Sequence, residues 1–192
     1  MTFERGRPES ATAELASEMC EVIGSTWGYA AEDISFKSMR DLLTSYMTCK
    51  RYGANFLLNV GPMGSGRLPD IAKGVLQAFG TWNKRNAAAV TGTCPAGIAE
   101  DCRFLLTDGK GKYYLFESDL AVAGNENVTM AEGHAERAVV SGLRGRVSRV
   151  RWLDNGEPLE FEQSGDRLTI RYTGFLCDEN LLWRVAEITT NK

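Results

Sequence analysis

The chain has 192 residues, 43% of them hydrophobic and 24% charged, which is enough to bury a real core and ordinary for a globular protein. Its formal net charge of −3 gives no basis for general electrostatic binding to nucleic acid or to an anionic membrane. No apolar run approaches the length of a membrane span.

Residues 1–17 are polar and small, and no element is clear there. The opening "MTFERGRPES" has no apolar h-region, so no signal peptide is read, and the compartment stays unknown. "SEMCEVIGSTWGYAAED" follows, with Val22 and Ile23 as a short apolar centre. Met39, Leu42, Leu43, Tyr46 and Met47 fall at i, i+3, i+4, i+7 and i+8, which predicts a helix over 38–50 with one apolar face. Ser35 or Ser38 is available as its N-cap, and Tyr52-Gly53 ends it. "ANFLLNV" is a continuous apolar run, which predicts a short strand buried on both faces, as in a parallel sheet. Pro69 opens a second helix with Ile71, Val75, Phe79 and Trp82 on one side. This is α/β grammar. A parallel strand needs neighbours on both sides, and few candidates are visible. The region therefore reads as a slice of a larger α/β domain.

The grammar changes in "NAAAVTG", near residues 86–92. "RFLLTDGKGKYYLF" reads as a hairpin around Asp108-Gly109, and "VRWLDNGEPLEF" as a hairpin around Asn155-Gly156. "RLTIRY" alternates apolar and polar residues, a strand with one wet face. Several short strands with turns between them predict an antiparallel β-sandwich. The expected division is 1–88 and 89–192.

Few residues carry obvious chemistry. Cys20, Cys49, Cys94, Cys102 and Cys177 form no CxxC pair, so they read as free thiols rather than as a zinc site or a disulfide framework. His134 is the only histidine, and no nucleophile motif accompanies it. The loop "GPMGSGRL" follows a strand and precedes a helix, as a phosphate-binding P-loop does. Arg67 stands where that motif needs lysine, Leu68 where it needs a hydroxyl, and Pro62 removes an N–H donor. The loop reads instead as a tight turn needing positive φ at its glycines.

Three stretches in fixed order resemble the α-L-fucosidases of glycoside hydrolase family 29. Glu18, Cys20, Ile23, Trp27, Gly28 and Tyr29 are in register with a family motif ending in Trp-Gly-Tyr. Gly53, Asn55, Leu57, Leu58, Asn59, Gly61, Pro62 and Gly66 match a second, and Gly80, Trp82, Asn86, Gly92 and Thr93 a third. The tail "VSRVRWLDNGEPLEFEQSGDRLTI" is similar to a late hairpin of the family's C-terminal sandwich.

The resemblance implies α/β plus all-β architecture. Residues 1–88 would be the C-terminal part of an incomplete TIM-like catalytic barrel, and 89–192 a β-sandwich domain. A barrel takes about 250 residues, so only its last part is expected here. The implied reaction is hydrolysis of terminal α-L-fucosyl linkages of glycans with retention, without cofactor or metal. Such chemistry uses two carboxyl groups about 5–5.5 Å apart. The resemblance points to Glu18 as candidate acid/base and to Trp27, Tyr29 and Asn59 as substrate contacts. The family's nucleophile aspartate lies on an earlier strand and has no counterpart here, so the chain alone is expected to be inactive. A fucosylated glycan or glycoside is the implied partner, no nucleic acid or membrane is expected, and a homo-oligomer of the full-length enzyme is admitted. The alternatives are a non-catalytic carbohydrate-binding or interaction module built on the sandwich, and a subunit that completes a barrel with another chain.

Overall fold

The computed structural model describes residues 1–192 except 11–15, 101–102, 121–134, 176–181 and 192; for 99 and 100 it describes the backbone only. His134, Cys102 and Cys177 lie outside the described residues. The chain divides into two compact units, Met1–Lys84 and Arg85–Lys192.

The first unit holds β1 (Thr2–Glu4), β2 (Glu18–Val22), α1 (Met39–Tyr52), β3 (Asn55–Asn59) and α2 (Asp70–Arg85, whose last residue falls just past the division). The strands form one sheet in the order β1-β2-β3, and both pairings are parallel. Thr2, Glu18 and Asn55 stand level across it, then Glu4, Cys20 and Leu57 two residues on. Side chains alternate between faces along a strand. One face therefore presents Phe3, Met19 and Phe56, which pack with Cys49 of α1 and with Ala54. The other presents Glu18, Glu4, Cys20, Leu57 and Asn59.

Helix α1 forms as its pattern predicts, and Leu42, Leu43, Met47 and Cys49 are buried. Ser38 caps it by accepting from the Asp41 N–H at 3.1 Å. Gly53 ends it at φ 71°, donating its N–H to the Cys49 and Lys50 carbonyls. Tyr46 meets Phe56, Phe79 and Trp82, which joins α1, β3 and α2 through one aromatic cluster.

Two expectations need correction here. First, β3 is not buried on both faces: Leu57 is 42% exposed and Asn55 is exposed as well. Among the described residues α1 and α2 cover it, on the Phe56 side, and it is an edge strand of the sheet. Second, β1 and β2 supply parallel neighbours that the sequence did not reveal. Three and five residues are too few to show a period against a polar background.

The second unit holds α3 (Ala87–Val90), β4 (Cys94–Glu100), β5 (Arg103–Thr107), β6 (Lys112–Glu117), β7 (Arg137–Val140), β8 (Arg146–Trp152), β9 (Phe161–Ser164), β10 (Arg167–Arg171) and β11 (Arg184–Asn191). One sheet runs β4-β5-β6-β11-β8 and another β7-β10-β9; every described pairing is antiparallel. Leu105, Leu115, Val150, Trp152, Ala186 and Ile188 from the first meet Ala138, Val140, Leu168 and Ile170 from the second in one buried core. This is the predicted β-sandwich.

Asp108-Gly109 joins β5 to β6 as expected, with Thr107 opposite Tyr113. Asn155-Gly156 makes a tight turn too, closed by the Trp152 N–H on the Glu157 carbonyl at 2.8 Å. The hairpin it builds is short, closed further by the Leu159 N–H on the Val150 carbonyl at 3.0 Å. The returning chain touches β8 through the Arg151–Pro158 bridge and then enters the other sheet as β9.

Two buried charges are paired inside this unit. Arg184, 2% exposed, lies 4.3 Å above the Trp152 ring, and its Nε donates to Asp154 at 3.1 Å. Glu187, 1% exposed, accepts from Lys112 at 2.8 Å and from Arg151 at 2.9 Å.

Candidate functional site

The C-terminal ends of parallel strands collect side chains that their loops can reach, which is why α/β enzymes keep their sites there. At this end β1 stops at Glu4, β2 at Val22 and β3 at Asn59. Past β2 the chain enters a loop carrying Trp27, Gly28 and Tyr29. Asp33 folds that loop: its Oδ2 accepts from the Ser25 N–H at 3.0 Å and the Ser25 hydroxyl at 2.8 Å, and its Oδ1 from the Ser35 N–H at 2.9 Å. The Ser25 N–H first, then the Ser25 hydroxyl and the Ser35 N–H, hold the Asp33 carboxyl below the usual range.

The loop is pinned to β3 in two ways. Asn59 Nδ2 donates to the Trp27 carbonyl at 2.7 Å. Gly61 runs so close to Gly28 and Tyr29 that a Cβ there would overlap their backbone. This revises the expectation for the glycine loop. Gly66 does hold the positive φ of a tight turn, at 80°, but the use of Gly61 is close approach. The Met63 and Gly66 N–H groups are spent within the turn, on the Arg67 and Met63 carbonyls, each at 2.8 Å.

Trp27 is 37% exposed and Tyr29 42%. The Trp27 indole Nε1 donates to Glu4 Oε1 at 3.1 Å, and the Arg5 guanidinium lies 5.1 Å from the Trp27 ring centroid. None of the described residues bonds the second oxygen of Glu4. A cavity of about 310 Å³ beneath the loop is lined by Ile23, Tyr29, Ile34, Val60, Gly61 and Ile71 among others.

Of the residues expected to share a site, the structure brings together Trp27, Tyr29 and Asn59. It does not bring Glu18 to them. Glu18 begins β2, so it stands at the N-terminal end of the sheet, about 13 Å along the strand from Val22. There its carboxylate accepts from Asn55 Nδ2 and from the Cys20 thiol at 3.7 Å. The carboxylate at the other end is Glu4, which sequence reasoning missed. Its one local signal is an acid closing the three-residue strand "TFE". In the sandwich Trp152 is 0% exposed and Trp183 6%, so neither offers its ring to a ligand. Among the described residues no group of three or more His, Cys, Asp or Glu is placed to hold a metal ion.

Residues 1–88 match the family model described as alpha-L-fucosidase. An alpha-L-fucosidase of Dictyostelium discoideum is 24% identical over 159 residues, 80% of this chain and 34% of that protein. The solved alpha-L-fucosidase isoenzyme 1 of Paenibacillus thiaminolyticus superposes with a TM-score of 0.80 at 22% identity, covering 100% of this chain and 45% of that one. A Bacteroides thetaiotaomicron family 29 enzyme, trapped as a covalent intermediate with 2-fluoro-fucosyl fluoride, gives 0.78 at 18% identity, covering 100% and 43%. The chain thus spans about a third of the curated relative and under half of these solved enzymes, and it has the fold of their C-terminal part. Residues 1–88 are thus similar to the alpha-L-fucosidase family model, and the whole chain shares the fold of the C-terminal part of these solved enzymes.

Proposed function

We propose that this chain is the C-terminal part of a retaining α-L-fucosidase that hydrolyses terminal α-L-fucosyl linkages of glycans. Residues 1–88 end its catalytic barrel, and 89–192 form its β-sandwich domain. The observation that supports this most is the cluster of Glu4, Trp27, Tyr29 and Asn59 at the C-terminal end of the parallel sheet. A glycosyl–enzyme bond, like that trapped in the Bacteroides neighbour, is the intermediate of retention.

Retention needs a nucleophile and a proton donor that later acts as base. We assign the donor role to Glu4 in place of Glu18. Glu4 stands at the active end, its Oε1 is fixed by the Trp27 indole, and its Oε2 is open to a leaving-group oxygen. Asp33 is a poor donor, because both its oxygens already accept hydrogen bonds. Trp27 and Tyr29 offer half-exposed rings to the apolar face of a deoxysugar. Asn59 holds Trp27 rather than the sugar. Among the described residues no carboxylate is bonded to Glu4; in this reading the nucleophile comes from elsewhere in the enzyme, and the chain alone is expected to be inactive.

The test uses p-nitrophenyl α-L-fucoside with two proteins: the chain alone, and a chimera in which residues 1–192 replace the matching part of the Paenibacillus enzyme. The expected result is no turnover by the chain and turnover by the chimera. In the chimera Glu4→Gln should lower kcat by about 10²–10⁴-fold, and Glu18→Gln should leave it nearly unchanged. Turnover by the chain that Glu4→Gln abolishes would sink the inactivity. A large loss from Glu18→Gln alone would return the role to Glu18.

A further inference from the structure

Arg5 directly follows Glu4, and its backbone sits at φ 54°, in the left-handed region that side chains other than those of glycine and a few polar residues avoid. Glycine would take this conformation without strain. A non-glycine residue there persists when its surroundings fix it. Three contacts do so. The Arg5 N–H donates to the Cys20 carbonyl at 2.9 Å, which carries the β1–β2 ladder one residue further. Its Nη2 donates to the Ser25 carbonyl at 3.1 Å, at the start of the Trp27 loop. Its guanidinium lies over the Trp27 ring, 5.1 Å from the centroid. The first contact needs only a backbone, so glycine would serve it equally. The other two need a long cationic side chain.

Trp27 is therefore held at three points. Asn59 holds its carbonyl, Arg5 its ring face, and Glu4 its indole N–H. Of these, Asn59 fixes the backbone and leaves the ring free to turn. The ring itself is touched by the Arg5 guanidinium on its face and by Glu4 at its N–H. That N–H is the bond on Glu4 Oε1.

We infer that Arg5 is a positioning residue: through the Trp27 ring it orients the indole N–H that aims the Glu4 carboxylate, and its side chain is why a strained backbone is tolerated there. This rests on the reading of Glu4 as proton donor only for its catalytic meaning. The coupling itself is a property of the chain alone.

The chain suits the measurement. Trp82, Trp152 and Trp183 are 3%, 0% and 6% exposed, so acrylamide quenching reads Trp27. The indole N–H resonance of Trp27 in a proton–nitrogen correlation spectrum reads its bond to Glu4, and Glu4→Gln identifies it. A cation over an exposed ring should change the ratio of held to released indole by about two- to fivefold. Arg5→Gly is expected to raise quenching and to move the resonance toward that of a free indole, with the melting temperature unchanged or higher because strain is relieved. Arg5→Lys should keep part of the wild-type signal. In Glu4→Gln protein, Arg5→Gly should still raise quenching, since the ring contact does not depend on Glu4.

Unchanged quenching and resonance in Arg5→Gly would overturn the inference. So would the same loss in Arg5→Lys as in Arg5→Gly, which would make the backbone rather than the cation responsible. The two readings fail separately. If the resonance responds as expected but Glu4→Gln leaves chimera turnover intact, the donor assignment falls and the Arg5–Trp27–Glu4 coupling stands.

Discussion

The two units solve the same problem in opposite ways. In the sandwich, strands pair with antiparallel neighbours, and two sheets bury one common core. Leu115 in β6 is 1% exposed, and the first five residues of β11 are all buried. In the parallel unit, Leu57 in β3 is 42% exposed, on the face away from the helices. Antiparallel strands close through turns of a few residues, so a hundred residues complete a core. Parallel strands need crossover connections, and their second face is covered only when the rest of the sheet is present. One unit is finished by its own residues. The other presents the face that a barrel would enclose.

That contrast can be tested with matched leucines. Leu115→Ala should cost about 2–5 kcal/mol, the range for truncating a buried leucine, whereas Leu57→Ala should stay within about 0.5 kcal/mol, as at exposed positions. Urea unfolding followed by hydrogen exchange, which reports the units separately, measures both. Equal costs would remove the distinction. A further change asks whether the open unit is nonetheless tightly built where its site lies. Gly61→Ala should cost about 1–3 kcal/mol by overpacking against Gly28 and Tyr29, and should increase acrylamide quenching of Trp27. A silent Gly61→Ala would mean that the loop yields freely.

Smaller effects sharpen the picture. Ser38→Ala removes the α1 cap and should cost about 1 kcal/mol, seen as faster exchange in the first turn of the helix. In the sandwich, burial raises the Glu187 carboxyl, but hydrogen bonds from Lys112 and Arg151, with their charges, outweigh it and hold it below the usual range. Its folded pKa is therefore below its unfolded one. The stability it contributes is full above the unfolded carboxylate range and is lost as pH falls through the folded value. Glu187→Gln should lower stability at neutral pH and flatten the acid limb of a stability–pH curve. A curve parallel to wild type would show that this pair carries no proton linkage.

Long periodic segments were legible in the sequence. Met39 to Met47 repeat over more than two turns, and Ser38 and Gly53 mark the ends, so α1 followed from local rules alone. The 103–117 hairpin and the wet-faced strand "RLTIR" were equally local. Short segments were not legible. Three residues of β1 carry no period, so neither the strand nor Glu4 at its end stood out. Asn155-Gly156 specified a turn correctly but not the destination of the chain beyond it, because the pairing with β8 ends at the Leu159 N–H on the Val150 carbonyl and β9 pairs in the second sheet.

The same divide runs through the site. Trp27, Tyr29 and Asn59 were marked in the sequence by their resemblance to the motifs of one family. Which carboxylate they meet was a question of strand direction and register. Glu18 is close to Trp27 in sequence but lies at the wrong end of β2, whereas Glu4, far more distant along the chain, reaches the indole. Composition and periodicity act over one or two turns of chain, and they determined the long elements and the change from α/β to β-sandwich grammar. Which ends of parallel strands face the same way is decided only when the sheet is assembled, because parallel pairing aligns residues separated by whole crossover connections.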